Sequence, residues 1–230
     1  MTQRILEQIP RSDGCGCPIS VAAPESTVRG GIVVEPDIRG VTDAVWQLAA
    51  GLASEGWLAV IPHLYHRDGV DVVPEGCDDD GAAVRWYVER LSAQSVHADT
   101  DAAYRWLARR GVTTDRIGVV GFGLGGALAL MVATQRDLGA AVTVGGIGVV
   151  QPVAATLPAL VDIAPDLRCP WLGIYGWDGE VPEEEIHKLR DAAHSAHVAT
   201  DLVHCRFDAD RSVAPEAWAR TLNWFCSHMR

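Results

Sequence analysis

The sequence lacks the features that mark secreted, membrane-spanning or nucleic-acid-binding proteins. Residues 1–10 contain no apolar core of the kind a signal peptide needs, and no apolar run reaches the ~18 residues that span a bilayer. The chain has a single lysine, Lys188, and a formal net charge of -11. This acidic balance argues against nucleic acids and anionic membranes as partners, because both attract basic surfaces. We expect a cytoplasmic protein with a small-molecule ligand or substrate.

The six cysteines do not form a metal-binding pattern. Cys15 and Cys17 make a C-x-C pair, but no second pair follows at the spacing of a zinc site. Cytoplasmic thiols are expected to stay reduced. We therefore predict neither a metal site nor a bound cofactor.

Short apolar runs alternate with amphipathic segments along the chain. Apolar runs predict strands at 31–34, 57–61, 117–120, 141–144, 171–175 and 201–205, and residues 19–23 predict a further, antiparallel strand. Helices are predicted at 42–54, towards Leu91, and at 99–110, 125–135, 183–194 and 214–226. This order predicts an α/β fold with a mostly parallel sheet and helices on both faces. Without internal repeats or a low-complexity linker, residues 1–230 are expected to form one domain.

The most informative segment is 117–127, in which a strand enters a glycine-rich turn that leads into a helix. Gly121 and Gly125 match the flanks of the nucleophile elbow G-x-S-x-G, where a strained turn presents a nucleophile between two small residues. The central position is Gly123, which has no side chain and cannot attack a substrate.

The same glycines also match the dinucleotide-binding pattern G-x-G-x-x-G, at Gly121, Gly123 and Gly126. That pattern normally opens the first strand–helix unit and is followed about 20 residues later by an acidic residue. Here several units precede it, and the next strand ends in Val-Gly-Gly at 144–146, without a carboxylate. A nucleotide-binding protein stays an alternative function on the glycine pattern alone.

Three segments together resemble the dienelactone hydrolase family of the α/β-hydrolase superfamily. The family's acidic residue after the first core strand is matched by Glu35, and its Pro-Asp-Leu-Tyr strand end by Pro-His-Leu-Tyr at 62–65, which ends in Tyr65. The family's elbow reads Gly-Tyr/Phe-Cys-x-Gly-Gly, and this chain reads Gly-Phe-Gly-Leu-Gly-Gly at 121–126. The resemblance covers most of the chain and implies a single-domain α/β-hydrolase fold with Glu35 and Tyr65 at its pocket.

The resemblance also implies where a catalytic triad would lie. Asp178, in Asp-Gly-Glu-Val-Pro, matches the slot of the triad acid, and Gly123 occupies the slot of the nucleophile. The histidine slot falls on Arg211, and an arginine stays protonated and cannot act as a base. His204 is a possible substitute, but a strand histidine points to one fixed face, so we favour an ordinary strand position for it.

The oxyanion-stabilising donors of this fold are backbone N–H groups. One follows the nucleophile position and would come from Leu124. The other comes from the loop after the first core strand, where Pro36 has no N–H to donate. Asp37 or Ile38 would then supply it. This loop is two residues longer than the family's.

The missing nucleophile and histidine predict a catalytically impaired relative that binds a small carboxylate, ester or lactone. The helix that follows Gly123 would present its N-terminus to an anion, with Arg39 or Arg211 as a paired cation. An active ester or lactone hydrolase, with Glu35 or His204 as a base on water, is the alternative.

Overall fold

The apolar runs form the centre of one mixed sheet in the computed structural model, which describes residues 4–11, 16–74, 81–177, 179–206 and 215–229. In these segments the strands are β1 (Arg4–Pro10), β2 (Gly16–Ala22), β3 (Gly30–Glu35), β4 (Trp57–Pro62), β5 (Ile117–Phe122), β6 (Ala140–Val144), β7 (Trp171–Gly176) and β8 (Thr200–Cys205). Their order is β1-β2-β4-β3-β5-β6-β7-β8. Strands β3 to β8 are parallel, whereas β2 pairs antiparallel with both β1 and β4.

Helices cover both faces of this sheet. The α-helices of the described segments are α1 (Asp43–Ser54), α2 (Ala82–Glu89), α3 (Ala93–Arg109), α4 (Leu124–Gln135), α5 (Leu160–Ile163), α6 (Glu183–His194) and α7 (Pro215–His228). One apolar cluster joins α1 and α7 to Val34 and its neighbours on one face. A second cluster joins α3, α4 and α6 to Val33 and its neighbours on the other. The predicted α/β architecture is confirmed.

The short helix α5 was not predicted and β2 begins earlier than predicted. Two further differences, in β1 and α3, have a clear physical cause. Strand β1 was not predicted, because it forms the outer strand of a hairpin and most of its side chains are exposed, which leaves no apolar run. Helix α3 begins at Ala93, earlier than the apolar spacing indicated. Its first turn is polar and is held by a capping box, in which the Ser92 and Ser95 hydroxyls each accept the other's backbone N–H at 3.0 Å.

None of the helices in these segments has both the length and the apolar character needed to cross a lipid bilayer.

A buried ion pair fixes the chain after β4 to α3. The Asp99 carboxylate is 1% exposed and accepts hydrogen bonds from the Arg67 guanidinium at 2.7 and 2.8 Å. His66 Nε2 lies 3.3 Å from the same carboxylate. Residues 66–68 form a 3-10 turn that directly follows Tyr65, so this ion pair also places Tyr65.

Replacing Asp99 with Asn should lower the free energy of unfolding by about 2 kcal/mol, because a charge-assisted, bidentate contact becomes a neutral one. Urea unfolding followed by circular dichroism measures this difference. The matched control is Asp101→Asn on the same helix, whose partner is Arg136 and whose side chain is 30% exposed. We expect less than about 1 kcal/mol there. Equal losses in the two variants would contradict a dominant role for the buried pair.

Candidate functional site

The glycine-rich turn lies between β5 and α4, at the carboxyl edge of the parallel strands. Gly123 has φ 52° and ψ -116°, a backbone conformation that L-residues with a side chain rarely adopt. Its N–H donates to the Val144 carbonyl at 3.0 Å, and its carbonyl accepts the N–H groups of Ala127 and Ile147 at 3.1 and 3.3 Å. The turn is thus fixed to both the next strand and its own helix.

The two flanking glycines are required by contacts between backbone segments. A β-carbon added to Gly121 would lie 2.2 Å from the Gly125 carbonyl carbon, and one added to Gly125 would lie 2.3 Å from the Glu35 carbonyl oxygen. No side chain fits at either place. Contacts within the protein therefore explain why both positions are glycine. Gly121, which the nucleotide-binding pattern shares, needs no bound pyrophosphate to explain it.

A carboxylate from another loop takes the place of the missing nucleophile. A β-carbon added to Gly123 would lie 2.6 Å from Asp37 Oδ1. The sequence predicted Asp37 only as a source of a backbone N–H. Its side chain at the elbow was not predicted, although the two extra residues of its loop were a signal that this loop departs from the family pattern.

A tight turn and a tyrosine hold the Asp37 loop in place. The Gly40 N–H donates to the Asp37 carbonyl at 2.8 Å, with Gly40 at φ 86°. The buried Tyr65 hydroxyl donates to the Ile38 carbonyl at 2.7 Å. Burial, and then the nearby Asp37 carboxylate, raise the pKa of Tyr65. Tyr65 thus supports the loop, and its hydroxyl proton is already engaged.

The backbone donors expected of an oxyanion-stabilising site are present in part. Leu124 is the first residue of α4, where an N–H has no acceptor within the helix. Pro36 is buried and its carbonyl oxygen would lie 2.7 Å from a β-carbon on Gly125, so this loop does approach the elbow. Pro36 itself has no N–H.

Glu35 lies inside the protein rather than at the open edge of the sheet. Its side chain is buried, and the Thr100 hydroxyl of α3 lies 2.7 Å from Glu35 Oε1 and 3.0 Å from the Val96 carbonyl. The Thr100 hydroxyl is thus placed to donate to either acceptor. Burial raises the pKa of Glu35 to about 7; the Thr100 hydrogen bond lowers this pKa and the Asp99 charge raises it, both by less than burial does.

His204 lies far from the elbow. It pairs with Tyr175 in the register of β7 and β8 and stacks on Trp177, with ring centroids 4.5 Å apart. Two strands, β6 and β7, separate β8 from β5, which corresponds to about 14 Å across the sheet. Burial, and then the nearby Arg190, lower the pKa of His204. Asp178 and Arg211, the other positions of the expected triad, lie outside the described residues.

A hydrogen-bonded chain of Ser20, His63 and Asp71 lies elsewhere in the fold. Ser20 Oγ is 2.9 Å from His63 Nε2, and His63 Nδ1 is 2.6 Å from Asp71 Oδ1. Ser20 is completely buried in the middle of β2, and the Arg4 Nε–H also donates to its hydroxyl. A substrate cannot reach this serine, so the arrangement joins β2 and β4 rather than forming a second nucleophile.

Cys17, His66 and Asp99 offer three possible metal-ligating atoms within 4.8 Å of one another. The two Asp99 oxygens are held by the Arg67 guanidinium. Burial, and then the Asp99 charge, raise the pKa of Cys17 to about 12, which disfavours the thiolate that binds metals. The ion pair accounts for this cluster without a metal.

A glycine-flanked turn with positive φ, between a parallel strand and a buried helix, is the form that a nucleophile elbow takes in the α/β-hydrolase class. The sequence model of the Dienelactone hydrolase family matches residues 19–229. The chain belongs to this family.

Named relatives and solved structures agree with this assignment. A Salmonella typhi protein provisionally named carboxymethylenebutenolidase is 30% identical over 239 residues, covering 97% of this chain and 87% of that protein. The Rhodococcus opacus carboxymethylenebutenolidase is 33% identical over 170 residues, covering 72% and 63%. A Klebsiella pneumoniae structure provisionally identified as a dienelactone hydrolase has a TM-score of 0.83 at 28% identity, covering 97% and 99%.

Glu35→Gln should change how stability depends on pH. The pKa of Glu35 is raised from 4.5 to about 7, so its stabilising effect is complete below the unfolded value and is lost as the pH rises towards about 7. Relative to the wild type, the Gln variant should therefore be more stable at about pH 8 than at about pH 5, by on the order of 3 kcal/mol.

Urea unfolding at both pH values checks this expectation. The control is Glu25→Gln at an exposed position, for which we expect a change below about 0.5 kcal/mol at either pH. The free energy of unfolding of the wild type, relative to that of Glu35→Gln, should fall from about pH 5 to about pH 8. A rise over this range would contradict a raised pKa for the buried Glu35.

Proposed function

We propose that this member of the dienelactone hydrolase family binds a small, neutral ester or lactone at its elbow and forms no acyl-enzyme. The observation that carries the proposal is the Asp37 carboxylate at the place where a nucleophile side chain would begin, 2.6 Å from a β-carbon on Gly123. Covalent catalysis at an elbow needs a side chain at its centre. Gly123 has none, and Asp37 fills the space.

The position of Asp37 also sharpens the chemical class of the ligand. The N-terminus of α4 by itself would attract an anion such as a carboxylate or phosphate. Asp37 brings a carboxylate to this same place, and Arg39, the cation that the sequence offers to pair with an anion, donates to the Val73 carbonyl at 2.9 and 3.1 Å and makes a further interaction. An uncharged ester or lactone avoids the repulsion that a second carboxylate would meet.

The family supports an ester or lactone rather than a nucleotide. The curated relative from Rhodococcus opacus is named for action on a carboxymethylene-substituted butenolide, an unsaturated lactone that carries a carboxylate. Its name supports a lactone, and the preference for a neutral one rests on Asp37 alone. Of the three glycines that suggested a nucleotide, Gly121 and Gly126 face backbone atoms, and Gly123 faces the Asp37 carboxylate, a like charge for a pyrophosphate. Esters and lactones also present the carbonyl oxygen that a backbone N–H such as that of Leu124 is suited to bind.

The charge on Asp37 predicts selectivity between two ligands that differ only in a carboxylate. A neutral α,β-unsaturated γ-lactone should bind the wild type more tightly than the same lactone bearing a carboxylate. In Asp37→Asn, affinity for the carboxylate-bearing lactone should rise roughly three- to thirtyfold, because a like charge within about 10 Å is removed. Titration calorimetry with both lactones and both proteins measures this. An unchanged preference in the variant would contradict the proposed ligand class.

Restoring a nucleophile should require two substitutions rather than one. In Gly123→Ser the end of the Asp37 side chain has to turn away from the new β-carbon and its charge stays beside the hydroxyl, so we expect slow labelling by a fluorophosphonate probe and no burst with p-nitrophenyl acetate. Gly123→Ser combined with Asp37→Ala removes this obstruction and should label at least roughly tenfold faster than the single variant, because the hydroxyl can then take up the attacking geometry.

The wild type and Asp37→Ala serve as matched controls, since neither carries an elbow nucleophile. Both should stay unlabelled. Labelling of the wild type, located by mass spectrometry to a residue near the elbow, would contradict the proposal that no acyl-enzyme forms. Gly123→Cys alone and with Asp37→Ala repeats the test with a thiol.

A further inference from the structure

We propose that Asp37 is a catalytic residue, acting as a general base that directs water onto the ester or lactone carbonyl without a covalent enzyme intermediate. The inference rests on the proposed function, because it needs the ligand at the elbow. In this proposal, Asp37 alone activates the attacking group. The resemblance to the family gives this role to a nucleophile at position 123 together with a histidine at position 211.

The Asp37 carboxylate lies close to the place from which a nucleophile at position 123 would attack. Asp37 Oδ1 lies 2.6 Å from the β-carbon that a nucleophile at position 123 would have. The oxygen of a serine at that position would occupy the same region. A water molecule hydrogen-bonded to Asp37 is therefore adjacent to the place from which an elbow nucleophile attacks.

Hydrogen bonds hold the loop that carries Asp37 in one conformation. The Asp37 carbonyl accepts the Gly40 N–H, and the neighbouring Ile38 carbonyl accepts the buried Tyr65 hydroxyl at 2.7 Å. On the other side of the turn, the Val41 N–H donates to the Asp71 carbonyl at 2.9 Å. A base held in this way loses little entropy when the substrate binds.

The surroundings favour a base over a nucleophile. Attack by the carboxylate itself would give an acyl-aspartyl anhydride, whose hydrolysis needs a second base. Among the described residues, the two bases that the sequence offers are out of reach: Glu35 is buried against Thr100, and His204 lies about 14 Å away across the sheet. Direct attack by water needs one base only, which Asp37 supplies.

The proposed reaction begins with a water molecule that is hydrogen-bonded to Asp37. Asp37 takes one proton from water while the water oxygen forms a bond to the carbonyl carbon, and the carbonyl electrons move to its oxygen, which the Leu124 N–H stabilises. The tetrahedral intermediate then collapses and its bond to the leaving oxygen breaks. The proton held by Asp37 moves to that oxygen. An ester gives an acid and an alcohol, and a lactone gives a hydroxy acid.

Steady-state hydrolysis of p-nitrophenyl acetate tests the role of Asp37. Asp37→Asn should lower kcat/KM by about 100-fold or more, the usual effect of losing a general base. Its affinity for a neutral lactone should stay within about threefold, as expected when no binding contact is lost. The matched control is Asp115→Asn, an exposed aspartate just before β5 at the opposite edge of the sheet, which should keep wild-type rates. Thermal unfolding of each variant, together with partial activity in Asp37→Glu, separates loss of the base from loss of the fold.

A single turnover in ¹⁸O-labelled water separates a base from a nucleophile. Direct attack by water places ¹⁸O in the acetate formed in the first turnover and leaves the peptide containing Asp37 unlabelled. Appearance of ¹⁸O in that peptide, or of an acetyl group on it when the turnover is quenched in acid and analysed by mass spectrometry, would overturn the role of Asp37 as a base. Both require an acyl-aspartyl intermediate, and the acetyl group reveals one that water would attack at the acetyl carbon.

The two proposals fail in different ways. If the wild type binds the neutral lactone but hydrolyses no ester above the buffer rate, or if Asp37→Asn equals the wild type, the inference about Asp37 is wrong and the proposed ligand site stands. If the wild type binds no lactone in calorimetry, the proposed function is wrong and the inference is overturned with it.

Discussion

The close approach of Gly121 to Gly125 is the contact on which the candidate site depends. It brings the end of β5 against the first turn of α4, and Gly125 in turn rests on the Glu35 and Pro36 carbonyls at the end of β3. Three elements are thereby fixed to one another through backbone atoms, which cannot adjust as side chains can. The loop that carries Asp37 starts from this junction, so its carboxylate reaches the elbow because the glycines allow the backbones to meet.

A chain of polar contacts extends this geometry into the interior. The Asp99 carboxylate on α3 holds Arg67, which follows Tyr65 closely in sequence, and the Tyr65 hydroxyl holds the Ile38 carbonyl beside Asp37. Buried polar groups of this kind are costly unless every partner is in place. They therefore define one arrangement of the loop, whereas apolar packing alone would permit several.

The architecture could be predicted from the sequence because buried parallel strands read as apolar runs, and helix α6 was found at its observed bounds, Glu183–His194. The elbow was recognisable from glycine spacing. The direction of Asp37 was not, because sequence gives the length of a loop and not its path. For Glu35 a signal did exist. It shares a strand face with Val33, two residues earlier, and Val33 packs on the side of α3. Strand parity thus places the carboxylate on the α3 side of a strand that is buried on both faces, which the family resemblance alone does not.

The left-handed conformation of Gly123 has an evolutionary consequence. In a relative with a nucleophile at this position, an L-residue holds a strained backbone worth about 1–3 kcal/mol, and glycine releases that strain. In this chain, a side chain placed at position 123 would meet both this strain and the Asp37 carboxylate, so its effect depends on the residue at position 37. A substitution that removes the Asp37 carboxylate would therefore have to accompany or precede the return of a side chain to the turn.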